Sequence, residues 1–133
     1  MPTFSLLPAD ASDATILAMV DQWALLLEAE QYEAAFNAIE CDGAMGWTPD
    51  LIRQIITQYG DAKPGQKVTL KGKPTDITQR KSVERFSKNK HGYIGYVWYD
   101  FIISGFASDL TATFWLRVES GGLTLVFEDI HVM

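Results

Sequence analysis

Cysteine is all but missing from this chain. Cys41 stands alone, so no internal disulfide can staple the fold, which must rest on a packed core. Histidine is as scarce: His91 and His131 are far from each other and from Cys41, so no metal-ligand spacing exists and no metal or cofactor is expected. Cys41, in its CDG context, has neither a nucleophile elbow nor a histidine at motif spacing and reads as an ordinary thiol. The glycines never form a phosphate-cradling pattern ahead of a helix. No apolar run approaches the roughly 18 residues of a membrane-spanning helix. The opening MPTFSLLPADAS carries no basic leader and no long apolar run, so the expectation is a chain without a signal peptide, located in the cytoplasm.

Positive charge is also in deficit. Eleven Lys and Arg face 17 Asp and Glu, a net charge of −6, which argues against general affinity for nucleic acid or anionic membrane. The deficit is uneven. Residues 61–91 hold nine of the basic side chains (Lys63, Lys67, Lys71, Lys73, Arg80, Lys81, Arg85, Lys88 and Lys90) against Asp61, Asp76 and Glu84, so this stretch is +6 and the remainder −12. Such a segment is a solvated loop and edge strand, or a docking surface for an acidic partner. Phe86 is its one candidate for base stacking, which disfavours nucleic acid.

What the chain does have is enough apolar residue, 47% over 133 positions, for one domain spanning 1–133 with its own core. The first part is helical. Ser12 and Asp13 can cap a helix whose apolar positions Ile16, Val20, Trp23, Ala24 and Leu27 keep a 3.6 period to about Glu30. QYEAAFNAI gives a shorter helix, broken by the glycines of CDGAMG. In WTPDLIRQIITQYG, Thr48 caps, Pro49 opens the helix, Leu51, Ile52, Ile55, Ile56 and Tyr59 make the stripe, and Gly60 stops it. Helices therefore occupy about 13–60.

A period of two takes over across about 66–132. KVTLK and TQRKSVERFS are short strands, NKHG a turn, and YIGYVWYDFII a strong aromatic strand. SGFASD reads as a loop leading into LTATFWLRV, and a turn at Ser120-Gly121 into LTLVFEDIHVM. Helices first and antiparallel strands afterwards define an α+β class with N-terminal helices packed on a curved antiparallel sheet.

A two-residue turn at Ser120-Gly121 pairs Val118 with Leu123, Leu116 with Leu125, Phe114 with Phe127, and Ala112 with Asp129; a turn at Gly121-Gly122 slides these partners by one pair but keeps the same residues on the same face, and a three-residue loop would set apolar residues opposite polar ones. Strict alternation then puts Leu123, Leu125, Phe127, Asp129 and His131 on the helix-covered face, with Val97, Tyr99, Phe101 and Ile103 beside them. Asp129 and His131 become the catalytic candidates, an acid and an imidazole at the mouth of an aromatic pocket lined by Trp23, Tyr59, Tyr99, Phe101, Phe114 and Phe127. The bland alternative is a strand running out into water over a filled core. Asp100, on the opposite face from Asp129, is expected to bond a neighbouring strand, a loop amide or Arg117 rather than form a dyad. That face also carries Tyr96, Trp98, Ile102, Trp115, Val126 and Ile130, more apolar surface than water tolerates. Either the early segments wrap around it or a second copy packs there, and the second is favoured, with Tyr96, Trp98, Trp115 and Val126 as the homodimer face.

WALLLEAEQYEAAFNAI and DLTATFWLRVESGGLTLVFEDIHVM together resemble the opening helical pair and the closing long strands of the nuclear-transport-factor-2-like (cystatin-like) α+β cone. The ending is also similar to C-terminal hairpins of small uncharacterised bacterial proteins that finish in an EDIHV-type sequence. Residues 61–81 depart from the family, being longer and more basic than its usual turn into the sheet, so strand order there stays open. The resemblance implies a cone-shaped cavity between helices and sheet and a dimer through the outer sheet face. Three functions are carried forward. The first is a non-catalytic cytosolic domain that binds a small ligand or protein partner as a homodimer. The second is a small acid–base enzyme, of isomerase or dehydratase type, using Asp129 and His131. The third is an immunity- or adaptor-type protein presenting the basic 63–90 segment.

Overall fold

The computed structural model describes residues 3–60 and 65–132. Three helices pack on a strongly curled, mainly antiparallel sheet, the α+β arrangement expected. Helix α1 spans Asp13–Glu28, and the Ser12 hydroxyl accepts the Thr15 amide at its start. Helix α2 (Tyr32–Ala38) follows after a tight break, and α3 (Pro49–Thr57) begins at Thr48, whose hydroxyl accepts the Leu51 amide. The sheet-facing residues of α1 are those the period names: Ile16, Val20, Trp23, Ala24 and Leu27 are all buried.

The strands are β1 (Leu7–Pro8), β2 (Glu40–Cys41), β3 (Val68–Thr69), β4 (Lys81–Arg85), β5 (Tyr93–Ile103), β6 (Phe106–Glu119) and β7 (Gly122–Val132). Long β5, β6 and β7 form an antiparallel meander. The strand order left open by the sequence resolves on one edge: β4 pairs with Gly95–Tyr99 of β5, and β3 with Ile102–Ile103 of the same strand. At the other edge two pieces too short to read from periodicity flank β7, β1 antiparallel at Leu123 and β2 parallel at Val126–Phe127.

Two turns join the meander. Ser120 and Gly121 both have positive φ, 44° and 81°, and the two-residue turn sets Glu119 opposite Gly122. Ser104 and Gly105, at 50° and 86°, do the same between β5 and β6. SGFASD is therefore no loop: β6 begins at Phe106, directly after the turn. Gly72 lets the preceding chain run against this turn, since a Cβ there would lie 2.5 Å from the Gly105 carbonyl oxygen.

Trp23 is the hub of the core. Its indole stacks on Phe101 at 6.2 Å, meets Phe114 edge-on at 5.2 Å and Phe127 at 5.3 Å, and donates Nε1–H to the Ala35 carbonyl at 2.9 Å. Trp23, Tyr99, Phe101, Phe114 and Phe127 are each at most 1% exposed, so these rings fill the space between helices and sheet with one another.

Candidate functional site

The end of β7 departs from strict alternation, and the departure relocates the candidate site. Val118–Leu123, Leu116–Leu125 and Phe114–Phe127 pair as the sequence predicts. The next partner of Thr113, however, is Asp129, and Ala112 faces Ile130, so Glu128 is the extra residue of a β-bulge. Beyond it the faces exchange. Ile130, expected outside, is 1% exposed and belongs to the core. Asp129 and His131, expected on the helix-covered face, stand on the outer face with Thr111, Thr113 and Trp98. The physical reason is visible on both sides of the sheet. The shift buries an isoleucine in place of an acid, and it aims the Glu128 carboxylate at two hydroxyl donors, Tyr96 and Thr113 (2.9 Å for the latter).

The outer face is built in rows across the strands. Asp100, Thr111 and His131 form one row; Ser82, Trp98, Thr113 and Asp129 the next; Glu84, Tyr96, Trp115 and Val126 the third. Asp100 and Asp129 thus share a face, which corrects the expected separation. They still form no dyad, for Asp100 is fully engaged. Its carboxylate accepts Trp98 Nε1–H at 3.1 Å, the Thr111 hydroxyl at 2.8 Å and the Arg80 amide at 3.0 Å. It fastens a neighbouring strand and a loop amide, two of the roles expected of it. Arg117 instead grips Glu40 through two 2.7 Å bonds, which hold the Glu40 carboxyl below its ordinary range and push the guanidinium up.

His131 Nδ1 lies 2.9 Å from Asp129 Oδ2, and the two side chains are 35% and 21% exposed. The imidazole sits edge-on to the Trp98 ring at 6.2 Å, and the Arg80 guanidinium covers that ring at 4.2 Å. The approach is an ion-pair distance without hydrogen-bond geometry, and Nδ1 is buried with no hydrogen-bond partner among the described residues. Among the described residues the hydroxyls beside it are engaged: those of Thr111 and Thr113 already donate to Asp100 and Glu128. The Tyr96 phenol is pushed up to about 12 by burial and by its bond to Glu128, which leaves it a poor base partner. Cys41 is raised to about 11 by burial and the adjacent Glu40 charge, as an unreactive thiol should be.

Around these groups the face stays aromatic. Tyr93 stacks on Trp115 at 4.9 Å with planes 4° apart, and Tyr96 meets the same indole at 4.8 Å. Tyr93, Tyr96, Trp98 and Trp115 remain partly exposed, while Val126 is 1% exposed. A shallow hollow of about 330 Å3 lies at the β4 side, lined by Arg80, Ser82, Glu84, Tyr96 and Trp98.

Of the residues expected to line a pocket, Tyr59 differs from the rest. It stands between two surface grooves. One, of about 370 Å3, runs along Leu51, Ile55 and Val132; the other, of about 460 Å3, along Ile77, Ser104 and Phe106. Its hydroxyl donates to Asp109, and burial raises its pKa. The structure does not bring Tyr59 to Asp129 and His131.

Two features of the outer cluster escaped the sequence reading, the place of Arg80 over Trp98 and the bulge at Glu128. Arg80 lies in an irregular segment, and no local pattern reveals that it will cover Trp98. Glu128 did leave a trace, because the buried positions Leu123, Leu125, Phe127 and Ile130 are spaced two, two and three apart. A step of three inside a strand signals a bulge.

Two side chains of the basic segment are neutralised by α1. Lys81 Nζ bonds Asp21 Oδ1 at 2.9 Å and Arg85 bonds Asp13 Oδ1 at 2.8 Å, so β4 is fastened to α1. Lys63 lies outside the described residues. Among the described residues, no cluster of three or more His, Cys, Asp or Glu side chains could hold a metal ion, and no helix is long and apolar enough to cross a membrane. No family model, curated protein or solved structure matches the chain.

Proposed function

We propose that the chain is a non-catalytic, cytosolic binding domain of the nuclear-transport-factor-2-like cone type, acting as a homodimer through the outer face of its sheet. The observation that carries this reading is the aromatic outer face, where two indoles and two phenols stay partly exposed opposite the helices. Surfaces of that kind mark interfaces. A two-fold contact must be self-complementary, and the hollow at the β4 side supports this by holding a cation and a carboxylate together, Arg80 and Glu84. Each can meet the other's counterpart on a second copy.

The acid–base reading of Asp129 and His131 stands second. Their 2.9 Å approach favours it. Against it are the engaged hydroxyls beside them and the packed rings behind the sheet. The deciding experiment is solution mass by light scattering on the wild type and on Trp115→Glu. A dimer that becomes a monomer on substitution, with unchanged circular dichroism, supports the reading. A wild type that is monomeric at all concentrations, or a dimer indifferent to Trp115→Glu, overturns it.

A further inference from the structure

Strand β4 is an open edge, and we propose that it is a docking site for an acidic, extended peptide that joins the sheet as an additional strand. The argument begins with hydrogen-bond parity. The Phe86 amide donates to the Ile94 carbonyl, and the Asp100 amide to the Arg80 carbonyl, both at 2.9 Å. In an antiparallel ladder such bonds recur at every second residue, so Ser82 and Glu84 also point their backbone groups inward to β5. Lys81, Val83 and Arg85 therefore turn their N–H and C=O groups outward. Among the described residues no backbone or side-chain partner meets them. The far edge of the sheet is different, for β1 and β2 already flank β7.

Charge selects the occupant. Arg80 stands at one end of the edge, and exposed Lys88 and Lys90 lie beyond the other, with no carboxylate at ion-pair distance among the described residues. The side chains of Lys81 and Arg85 are directed to α1, where Asp21 and Asp13 hold them. Phe86, 38% exposed, adds an apolar contact at the strand's end. A second copy of β4 is the obvious rival. Paired antiparallel about Val83, it would set Lys81 opposite Arg85 of its copy, twice, and would send Lys88 and Lys90 of the two chains to opposite ends of the pair. Lysines on an edge discourage exactly such self-pairing, but they welcome carboxylates. Backbone bonds would supply affinity and the flanking cations the choice of partner. Arg80 borders both surfaces, but the outward backbone groups of β4 and the Lys88 and Lys90 side chains carry this inference without the dimer.

The test uses a fluorescent seven-residue peptide alternating valine and glutamate, with a valine–lysine peptide as comparison, read by anisotropy and by amide hydrogen exchange. In the free protein the Lys81, Val83 and Arg85 amides should exchange fast while Ser82, Glu84 and Phe86 are protected. The acidic peptide should bind, slow the three outward amides by about tenfold or more, and dissociate as salt is raised. Val83→Pro removes an outward donor without removing a bond to β5, and should weaken binding about tenfold with the circular dichroism spectrum retained. Lys88→Glu with Lys90→Glu, both outside the strand, should weaken it several-fold and needs no change in the sheet. Absence of binding, equal binding of the two peptides, or protection elsewhere than the three outward amides overturns the proposal. Protection that rises with protein concentration alone also overturns it, in favour of a second copy.

Discussion

Deleting Glu128 is the sharpest test of how β7 is registered. Phe127 would then be followed directly by Asp129, so plain alternation would keep Asp129 and His131 on the outer face and Ile130, 1% exposed, in the core. Only the bonds of the extra residue would go. Tyr96 and Thr113 would lose their shared acceptor, and the Trp47 Nε1–H the Glu128 carbonyl, at about 1 kcal/mol each. The combined loss is about 2–4 kcal/mol, less than the roughly 5–15 kcal/mol stability of a typical domain, so the variant should still fold. Urea denaturation followed by tryptophan emission and far-ultraviolet circular dichroism would measure it. Glu128→Gln, which keeps the residue count and an acceptor oxygen, should stay within about 1 kcal/mol of wild type. A deletion variant that is unfolded in buffer would refute the bulge as the determinant of which face the site occupies.

Two further outcomes follow from local geometry. Ser120→Asn should stabilise the protein by about 0.5 kcal/mol, because asparagine suits the left-handed backbone at φ 44° and a free turn places no other demand on it; Ser104→Asn should gain less, since the Ser104 hydroxyl bonds Gln66 at 2.7 Å, and thermal melts will rank the two. Glu40, lowered by its bonds to Arg117, adds stability that is fully present above its ordinary value of 4.5 and is lost as pH falls through the lowered folded value. Its side chain is 43% exposed, so the deficit of Glu40→Gln at neutral pH should be below about 1 kcal/mol, and it should vanish in acid when urea midpoints are compared across pH.

The sequence was most legible where one periodicity governed many residues. The α1 stripe, the Thr48-Pro49 helix start and the span of β5 all emerged from spacing and capping chemistry, because local preference and burial there agree. It was least legible where a single residue reverses a pattern. One bulge at Glu128 moved both proposed catalytic side chains across the sheet, although the three pairs before it were right. The short strands β1 and β2 have too few residues to carry a period, and they exist only because β7 offers them an edge. The partners of Arg80 and Lys81 are equally hidden, since a charge names no partner until the fold brings one near.

The wiring of the core has a consequence for how the chain must be made. Asp21 meets Tyr99 across 78 positions, Glu40 meets Arg117 across 77, and Trp47 meets the Glu128 carbonyl across 81. Trp23 finds its ring partners only in the last three strands. During synthesis the helices therefore emerge before the strands that cover their apolar stripes. The closing surface is complete only once β7 is made. The interval before it is when a nascent helix needs protection from its neighbours.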